Sequence, residues 1–362
     1  MDTLNEKNVV LHIFPNEKFV ADYINRVNCL FDKDKHVFYI HGKETADKIK
    51  QIEANNVIMA CKYKSKIRAD IELIRQMKHA DRIIFHSIFF SIRLFLLIIV
   101  MTAFFYKKYF WNIWGADLYD AYRKKDINIF MKIKEIMRKY FIAKVSAVGY
   151  IPGDYDFLKK HYKTKARFYL ASYTYDFIDI PAGEMSNTVN ILIGNSANPS
   201  CQYHEAIEML APFKHMNIKV WCVLAYPHDD MKYIEDVIKH GTEVLGDKFI
   251  PLTDYMVYED YMKLLSNIDI AILNNNRQQA LGNIASLLFY GKRVFINPLN
   301  ACGEYFKDIG AIVYSTEELS LDVIKKINSA ELKRVNQKVI LDFFSDDNFY
   351  RRWNKIFDDK WN

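Results

Sequence analysis

The feature that most constrains this chain is a doubled pattern: two series of alternating strand-like and helix-like runs, separated by one stretch with no periodicity. In the first series, apolar β-rich runs fall at 9–14, 36–40, 57–59, 82–85, 110–114 and 144–148. Between the first two, Phe19, Val20, Tyr23, Ile24, Val27 and Leu30 recur at helical spacing, which completes a βαβ unit. Such alternation predicts an α/β domain with a parallel sheet covered by helices. Around 172–189 the periodicity stops and Pro181 and Gly183 appear. A second series then follows, with strands at 189–193, 218–224, 269–273, 294–297 and 311–314. Its helices are expected near 201–210, 231–240, 256–267 and 281–290.

Two such series predict two Rossmann-like domains facing each other across a cleft: 1–172, then a linker at 173–189, then 190–344. A final helix at 345–362, capped by Ser345 and the aspartates after it, has no evident role. The length of 362 residues agrees, exceeding one ordinary core at roughly 150 residues per domain.

One run tests a soluble assignment. Residues 83–105, IIFHSIFFSIRLFLLIIVMTAFF, approach the length of a membrane span. His86 and Arg93 are costly in hydrocarbon, so a short buried strand followed by a buried helix from about Phe90 is the expectation, with a membrane-contacting helix as the alternative. The formal charge of +6 is modest, but Lys107, Lys108, Arg123, Lys124, Lys125, Lys132, Lys134, Arg138, Lys139 and Lys144 cluster. Such a cluster suits anionic lipid headgroups, and no nucleic-acid-binding motif accompanies it. The five cysteines are scattered and unpaired in pattern, which favours a reducing compartment, and the N-terminus lacks the features of a signal peptide.

Three segments carry candidate chemistry. Gly194-Asn195-Ser196 follows an apolar strand and precedes a helix, an arrangement that offers side-chain donors and free backbone N–H groups to phosphate. An ordinary strand-to-helix turn capped by Ser200 is the competing reading. His204 and Glu205, and Tyr226 with Pro227 at the end of the next strand, are placed to line the same pocket. Residues 273–284 put Arg277, Gln278, Gln279, Gly282 and Asn283 at the carboxyl end of another strand, where open parallel sheets bind ligands. Arg277 suits phosphate, and Gln278 and Gln279 suit sugar hydroxyls. The third segment is Trp111-Asn-Ile-Trp114-Gly115-Ala-Asp117-Leu-Tyr119. Tryptophan faces stack on sugars and a strand-end carboxylate can serve as general base, with core packing and helix capping as the alternatives. His86, at a strand end of the same domain, is a second candidate base. Neither HExxH nor paired CxxC occurs, and the expectation is a metal-independent reaction without a cofactor.

In this order, WNIWGADLYD, ILIGNSANPSCQYHEAI and RQQALGNIASLLFYGKRVFIN resemble motifs of the TDP-N-acetylfucosamine:lipid II N-acetylfucosaminyltransferases, the 4-alpha-L-fucosyltransferase family. The first is similar to that family's WxIWGADLY, the second to its GNS turn with a downstream His, the third to its RQQGxG. The resemblance implies a GT-B glycosyltransferase acting on an undecaprenyl-linked acceptor at the inner face of the bacterial membrane. It implies a donor site in the C-terminal domain around Gly194, Asn195, Ser196, His204, Tyr226, Arg277, Gln278, Gln279, Gly282 and Asn283. The acceptor side would hold Trp111, Trp114, Gly115 and Tyr119, with Asp117 and His86 as catalytic candidates. The run after His86 is more apolar here than in enterobacterial members, so donor identity is not carried over intact. A nucleotide-sugar epimerase of the same fold and a non-catalytic nucleotide-sugar-binding protein remain open.

Overall fold

The computed structural model describes residues 8–17, 20–42, 54–123, 129–173, 175–181, 187–226, 230–325 and 329–361, with the side chains of 120–123 excluded. Phe19, Gly183, Lys124, Lys125 and Pro227 lie outside the described residues, as does the side chain of Arg123. The chain divides into two compact units, 1–174 together with 345–362, and 175–344.

Among the described residues unit 1 holds seven strands: β1 (Val10–Pro15), β2 (His36–His41), β3 (Val57–Met59), β4 (Arg82–His86), β5 (Tyr109–Asn112), β6 (Ala147–Tyr150) and β7 (Arg167–Leu170). They form one sheet in the order β3-β2-β1-β4-β5-β6-β7, every pair parallel. Helices cover both faces, so β1, β4, β5 and β6 read as almost unbroken apolar runs rather than as alternation.

The described residues of unit 2 hold six more: β8 (Val189–Ile193), β9 (Ile218–Val223), β10 (Phe249–Leu252), β11 (Ile270–Leu273), β12 (Arg293–Ile296) and β13 (Tyr314–Ser315). Their order is β10-β9-β8-β11-β12-β13, again all parallel. Ile191, Ile193, Val220, Cys222, Ile270 and Ile272 pack with Tyr203, Ile207, Leu210 and Val237 from the covering helices to make its core.

Several expectations need correction. Residues 144–146 are not strand, because Lys144 ends the helix Ile129–Lys144 and β6 starts three residues later. Of the expected strand at 311–314 only Tyr314 is strand, in the two-residue β13, and β7 and β10, four residues each, escape the pattern. The apolar run after β4 does form a helix, Ile92–Phe105, capped by the Ser91 hydroxyl accepting the Leu94 N–H. That helix is not buried, however: only Leu94, Phe95, Ile98 and Thr102 face inward.

The C-terminal helix Asp346–Asp358 begins where expected, with the Ser345 hydroxyl accepting the Asn348 N–H. It packs into unit 1. Phe349, Trp353, Ile356 and Phe357 are buried, the Trp353 indole donates to the Ser172 carbonyl at 2.9 Å, and Arg82 donates to the Asp358 and Asp359 carbonyls.

Candidate functional site

In each sheet the chain runs outward one way and then jumps back past its first strand, which leaves a topological switch point where ligands of open α/β sheets bind. In unit 2 that point lies between β8 and β11, and the two loops leaving their carboxyl ends carry Gly194-Asn195-Ser196 and residues 274–280.

The two loops are joined by side chains. The Gln279 amide donates to Asn195 Oδ1 at 3.2 Å and to Ser196 Oγ at 2.8 Å, and the Ser200 hydroxyl donates to Gln279 Oε1 at 2.6 Å. The Asn275 amide also donates to Asn195 Oδ1, at 3.0 Å, and the Asn276 N–H donates to the Ser200 carbonyl. Cys201 sits beneath, its thiol 3.2 Å from the Ser196 carbonyl. Ser200 therefore ties the loops together and does not cap the helix. That helix, Tyr203–Leu210, starts from Gln202 in a left-handed conformation, after a 3-10 turn at Pro199–Cys201 capped by Asn198.

Gly194 has φ +64, and a Cβ there would fall 2.3 Å from the Tyr203 ring, so glycine is required by the packing of a protein side chain. Gly282 is similar: a Cβ would meet the Tyr175 ring at 2.9 Å. It starts the helix Leu281–Phe289, whose N-cap Ala280 is left-handed at φ 66 and offers no side-chain cap. Asn283 donates to the Tyr261 hydroxyl at 3.0 Å.

Arg277 and Gln278 are buried beside this loop pair, and the guanidinium donates to the Gln278 carbonyl at 3.0 Å. Two buried amide oxygens, Asn275 Oδ1 and Gln278 Oε1, have no hydrogen-bond partner among the described residues. Buried acceptors left unpaired are uncommon and mark a place for an incoming donor. The Tyr226 carbonyl accepts the Ala197 N–H, which joins the loop after β9 to the same edge, and its side chain is exposed. His204 is not with this group. Its Nε2 lies 2.9 Å from Asp236 Oδ2 on the helix Met231–Leu245, and its ring stacks near His240.

In unit 1 the corresponding edge is built around a carboxylate. Asp117, on the helix Ala116–Arg123, accepts the Trp111 indole N–H at 2.9 Å and the Ile88 N–H at 3.2 Å on Oδ2, and the Trp114 N–H at 2.9 Å on Oδ1. Burial raises its pKa to about 6 against the opposing pull of those three donors. Gly115 makes the turn before the helix, its carbonyl accepting from Leu118 and Tyr119.

His86 lies elsewhere than a base must. It is fully buried with both ring nitrogens engaged: Nε2 is 3.1 Å from His12 Nδ1, and Nδ1 is 2.7 Å from the Tyr173 hydroxyl. His12 Nε2 in turn meets His36 Nδ1 at 3.0 Å, and His86 stacks on Phe14 with centroids 3.6 Å apart. Burial holds His12 and His86 well below the ordinary imidazole pKa. The acceptor-side residues also divide. Trp111 is wholly buried, edge-on to Phe141, so its face meets no sugar. Tyr119 is buried against Phe157 and donates to Asp154. Trp114 is part-exposed, its indole N–H donating to the Tyr173 hydroxyl at 2.7 Å.

Two Asp-x-Asp spacings occur, at Asp32–Asp34 and Asp154–Asp156. Asp32 caps the 3-10 turn that contains Asp34, while Asp154 and Asp156 lie two apart on one helix, on different faces. No group of three His, Cys, Asp or Glu side chains suited to a metal occurs among the described residues.

The residues that pattern reasoning missed are Asn275, Ser200 and Cys201 in unit 2, and His12 and Tyr173 in unit 1. The Asn274-Asn275-Asn276 run was a visible signal, since three amides after a buried strand have no core role; Tyr173, on aperiodic chain, gave none.

Comparison with known proteins agrees with this architecture. A model of the family described as 4-alpha-L-fucosyltransferase, glycosyl transferase group 56, matches residues 9–360. Among solved structures, a glycosyltransferase from Rickettsia africae superposes with a TM-score of 0.62 at 14% identity, covering 96% of this chain and 97% of that one. Anabaena HepE in complex with UDP gives 0.67 at 10% identity, with 96% and 99% covered. Sucrose-phosphate synthase from Thermosynechococcus elongatus gives 0.68 at 7% identity, with 96% and 98% covered. At these identities the structures show the fold alone, which is GT-B.

Proposed function

The chain belongs to the 4-alpha-L-fucosyltransferase family, glycosyl transferase group 56, and from that premise we propose the transfer it performs as a glycosyltransferase. It moves a 6-deoxy amino sugar, N-acetylfucosamine-like, from a nucleoside diphosphate, TDP by preference, to an undecaprenyl-diphosphate-linked saccharide of a bacterial surface polysaccharide. The observation that carries this reading is the pairing of the loops after β8 and β11, through Asn195, Ser196, Asn275 and Gln279, at the switch point of unit 2. HepE, of the same fold, is described with UDP bound, which supports a nucleotide-linked donor.

In the proposed reaction the acceptor oxygen attacks the anomeric carbon. The bond from that carbon to the diphosphate oxygen breaks, and its electron pair leaves with the diphosphate. Asp117 takes the acceptor proton. Arg277 and the N–H groups at the helix start after Gly194 stabilise the leaving charge without a metal ion, as preorganised donors do. Gln278 Oε1 and Asn275 Oδ1 suit sugar or nucleoside hydroxyls. A lipid-linked acceptor puts the enzyme at the inner membrane face, met by the basic residues between Lys107 and Lys144.

Thermal-shift measurements with TDP, UDP and GDP sugars test the donor site, and stabilisation by none of them refutes it. Arg277→Lys, which keeps the charge but not the fork, should cut kcat/KM by roughly 10- to 100-fold with the fold retained. Unchanged turnover removes Arg277 from the mechanism. Donor alone yielding an epimer, or binding without turnover on any acceptor, replaces the reading with one of the two alternatives named from sequence.

A further inference from the structure

Two neighbouring helices of unit 1 present apolar side chains outward. On Ile92–Phe105 the residues Ile92, Leu96, Val100 and Phe104 repeat every four positions along one side, and Leu96, Val100 and Phe104 are 51%, 57% and 72% exposed. On Ile129–Lys144 the exposed apolar residues are Ile129, Phe130, Ile133, Ile136 and Tyr140, with Ile136 at 68%. The two helices pack against each other on one face of the sheet, where Phe95 and Phe141 meet with centroids 6.3 Å apart, so the two rows are adjacent. Contiguous apolar surface of this kind marks an interaction site.

Charge identifies the occupant. No Asp or Glu occurs in the sequence between Asp81 and Asp117. Within Ile129–Lys144 the only acid is Glu135, bound to Arg138 and 4.0 Å from the Lys139 ammonium. Exposed Lys107, Lys132, Lys139 and Lys144 rim the face, with Lys144 reaching over Tyr106 to join the ends of both helices. A second copy seated by two-fold symmetry would bring these lysines against one another with Glu135 the only acid on either helix, and that one already shared by Arg138 and Lys139. A lipid surface with anionic headgroups meets both requirements at once, taking the apolar rows into its acyl boundary and the ammonium groups at the headgroups. No helix of the described residues is long and apolar enough to cross a membrane.

We propose that Ile92–Phe105 and Ile129–Lys144 form a bilayer-docking face that inserts Leu96, Val100, Phe104 and Ile136 into the acyl boundary of an anionic membrane. The inference deepens the membrane location proposed above and rests on it for its purpose, while its geometry stands alone.

The test is sedimentation of the full chain with vesicles of phosphatidylcholine, and of phosphatidylcholine with phosphatidylglycerol, at low and high salt. Wild type is expected to bind the mixed vesicles. Phe104→Ser/Ile136→Ser, both at exposed positions, should weaken that binding roughly tenfold or more at either salt. Lys107→Ala/Lys132→Ala/Lys139→Ala should abolish the preference for anionic lipid and its salt dependence. Transfer to a water-soluble acceptor analogue should be unchanged in both variants, which separates docking from catalysis. Equal vesicle binding by wild type and Phe104→Ser/Ile136→Ser overturns the proposal. So does a dimer in vesicle-free buffer that the same substitutions dissolve, since the occupant is then a second copy, or capture of a defined protein partner with no vesicle binding.

Discussion

At the scale of single residues, the three donors around Asp117 pose the question of whether it holds a loop or moves a proton. The two roles separate by pH. With a pKa of about 6, set chiefly by burial, a base is active only above that value, so kcat/KM should fall below about pH 6. Asp117→Asn should lower kcat by roughly 100-fold or more, leave donor affinity nearly intact and remove that acidic limb. A variant that loses thermal stability but keeps both turnover and the limb assigns Asp117 to positioning alone. His86 carries no such prediction, because both its nitrogens are spent within the core.

Ala280 is a second informative residue. It stands where the resembling motif RQQGxG has glycine, and its φ of 66 is in the left-handed region. An alanine there is strained by roughly 1–2 kcal/mol, partly offset by the smaller entropy it loses on folding. Ala280→Gly should therefore stabilise the protein by about 0.5–1 kcal/mol, read as a higher urea midpoint with unchanged slope. A lower midpoint would mean that contacts of the methyl group outweigh the backbone strain.

At the scale of elements, what was legible in the sequence was whatever buries on both faces. Strands β1, β4, β8 and β11 are predominantly apolar, and their bounds emerged within a residue or so. The edge strands β7 and β10 are four residues each and half-buried, too short for a pattern to rise above the loops beside them. The helix Ile92–Phe105 shows the opposite failure. A run apolar on every side gives no periodicity from which to tell its inner face from its outer one, so hydrophobicity alone suggested burial. Within the candidate site, residues that leave strand ends were legible, because topology dictates where they go. Trp111 and Tyr119 were not, since an aromatic side chain at a strand end can stack on a ligand or turn into the core, and only packing decides.

At the scale of the molecule, unit 1 concentrates neutral imidazoles: His12, His36, His41 and His86 are all buried and held below the usual value, His36 and His41 at about 4. The folded state leaves them unprotonated, while the unfolded chain takes up protons below about pH 6.5. Their contribution to stability is thus complete above that pH and is lost as pH falls from about 6.5 toward 4. At pH 5.5 His36 and His41 each cost roughly 1.4 kcal/mol, and His12 and His86 act in the same direction. Asp117, shifted upward, works in the other direction, since its buried charge is relieved as pH drops through about 6, but one group does not offset four. Urea unfolding followed by tryptophan fluorescence should show a markedly lower midpoint at pH 5.5 than at 7.5. An unchanged midpoint would mean that these imidazoles accept protons in the native state.

The return of Asp346–Asp358 to unit 1 dictates an order of events during synthesis. Residues 175–344 are contiguous and complete as soon as they leave the ribosome. The first unit, although made earlier, waits for Trp353 and Phe357 to cover Tyr23, His12 and His86. At synthesis rates of roughly 5–20 residues per second that delay is on the order of ten seconds or more. The half of the protein translated first is therefore the half that finishes folding last, and its unfinished core is the one a chaperone would meet.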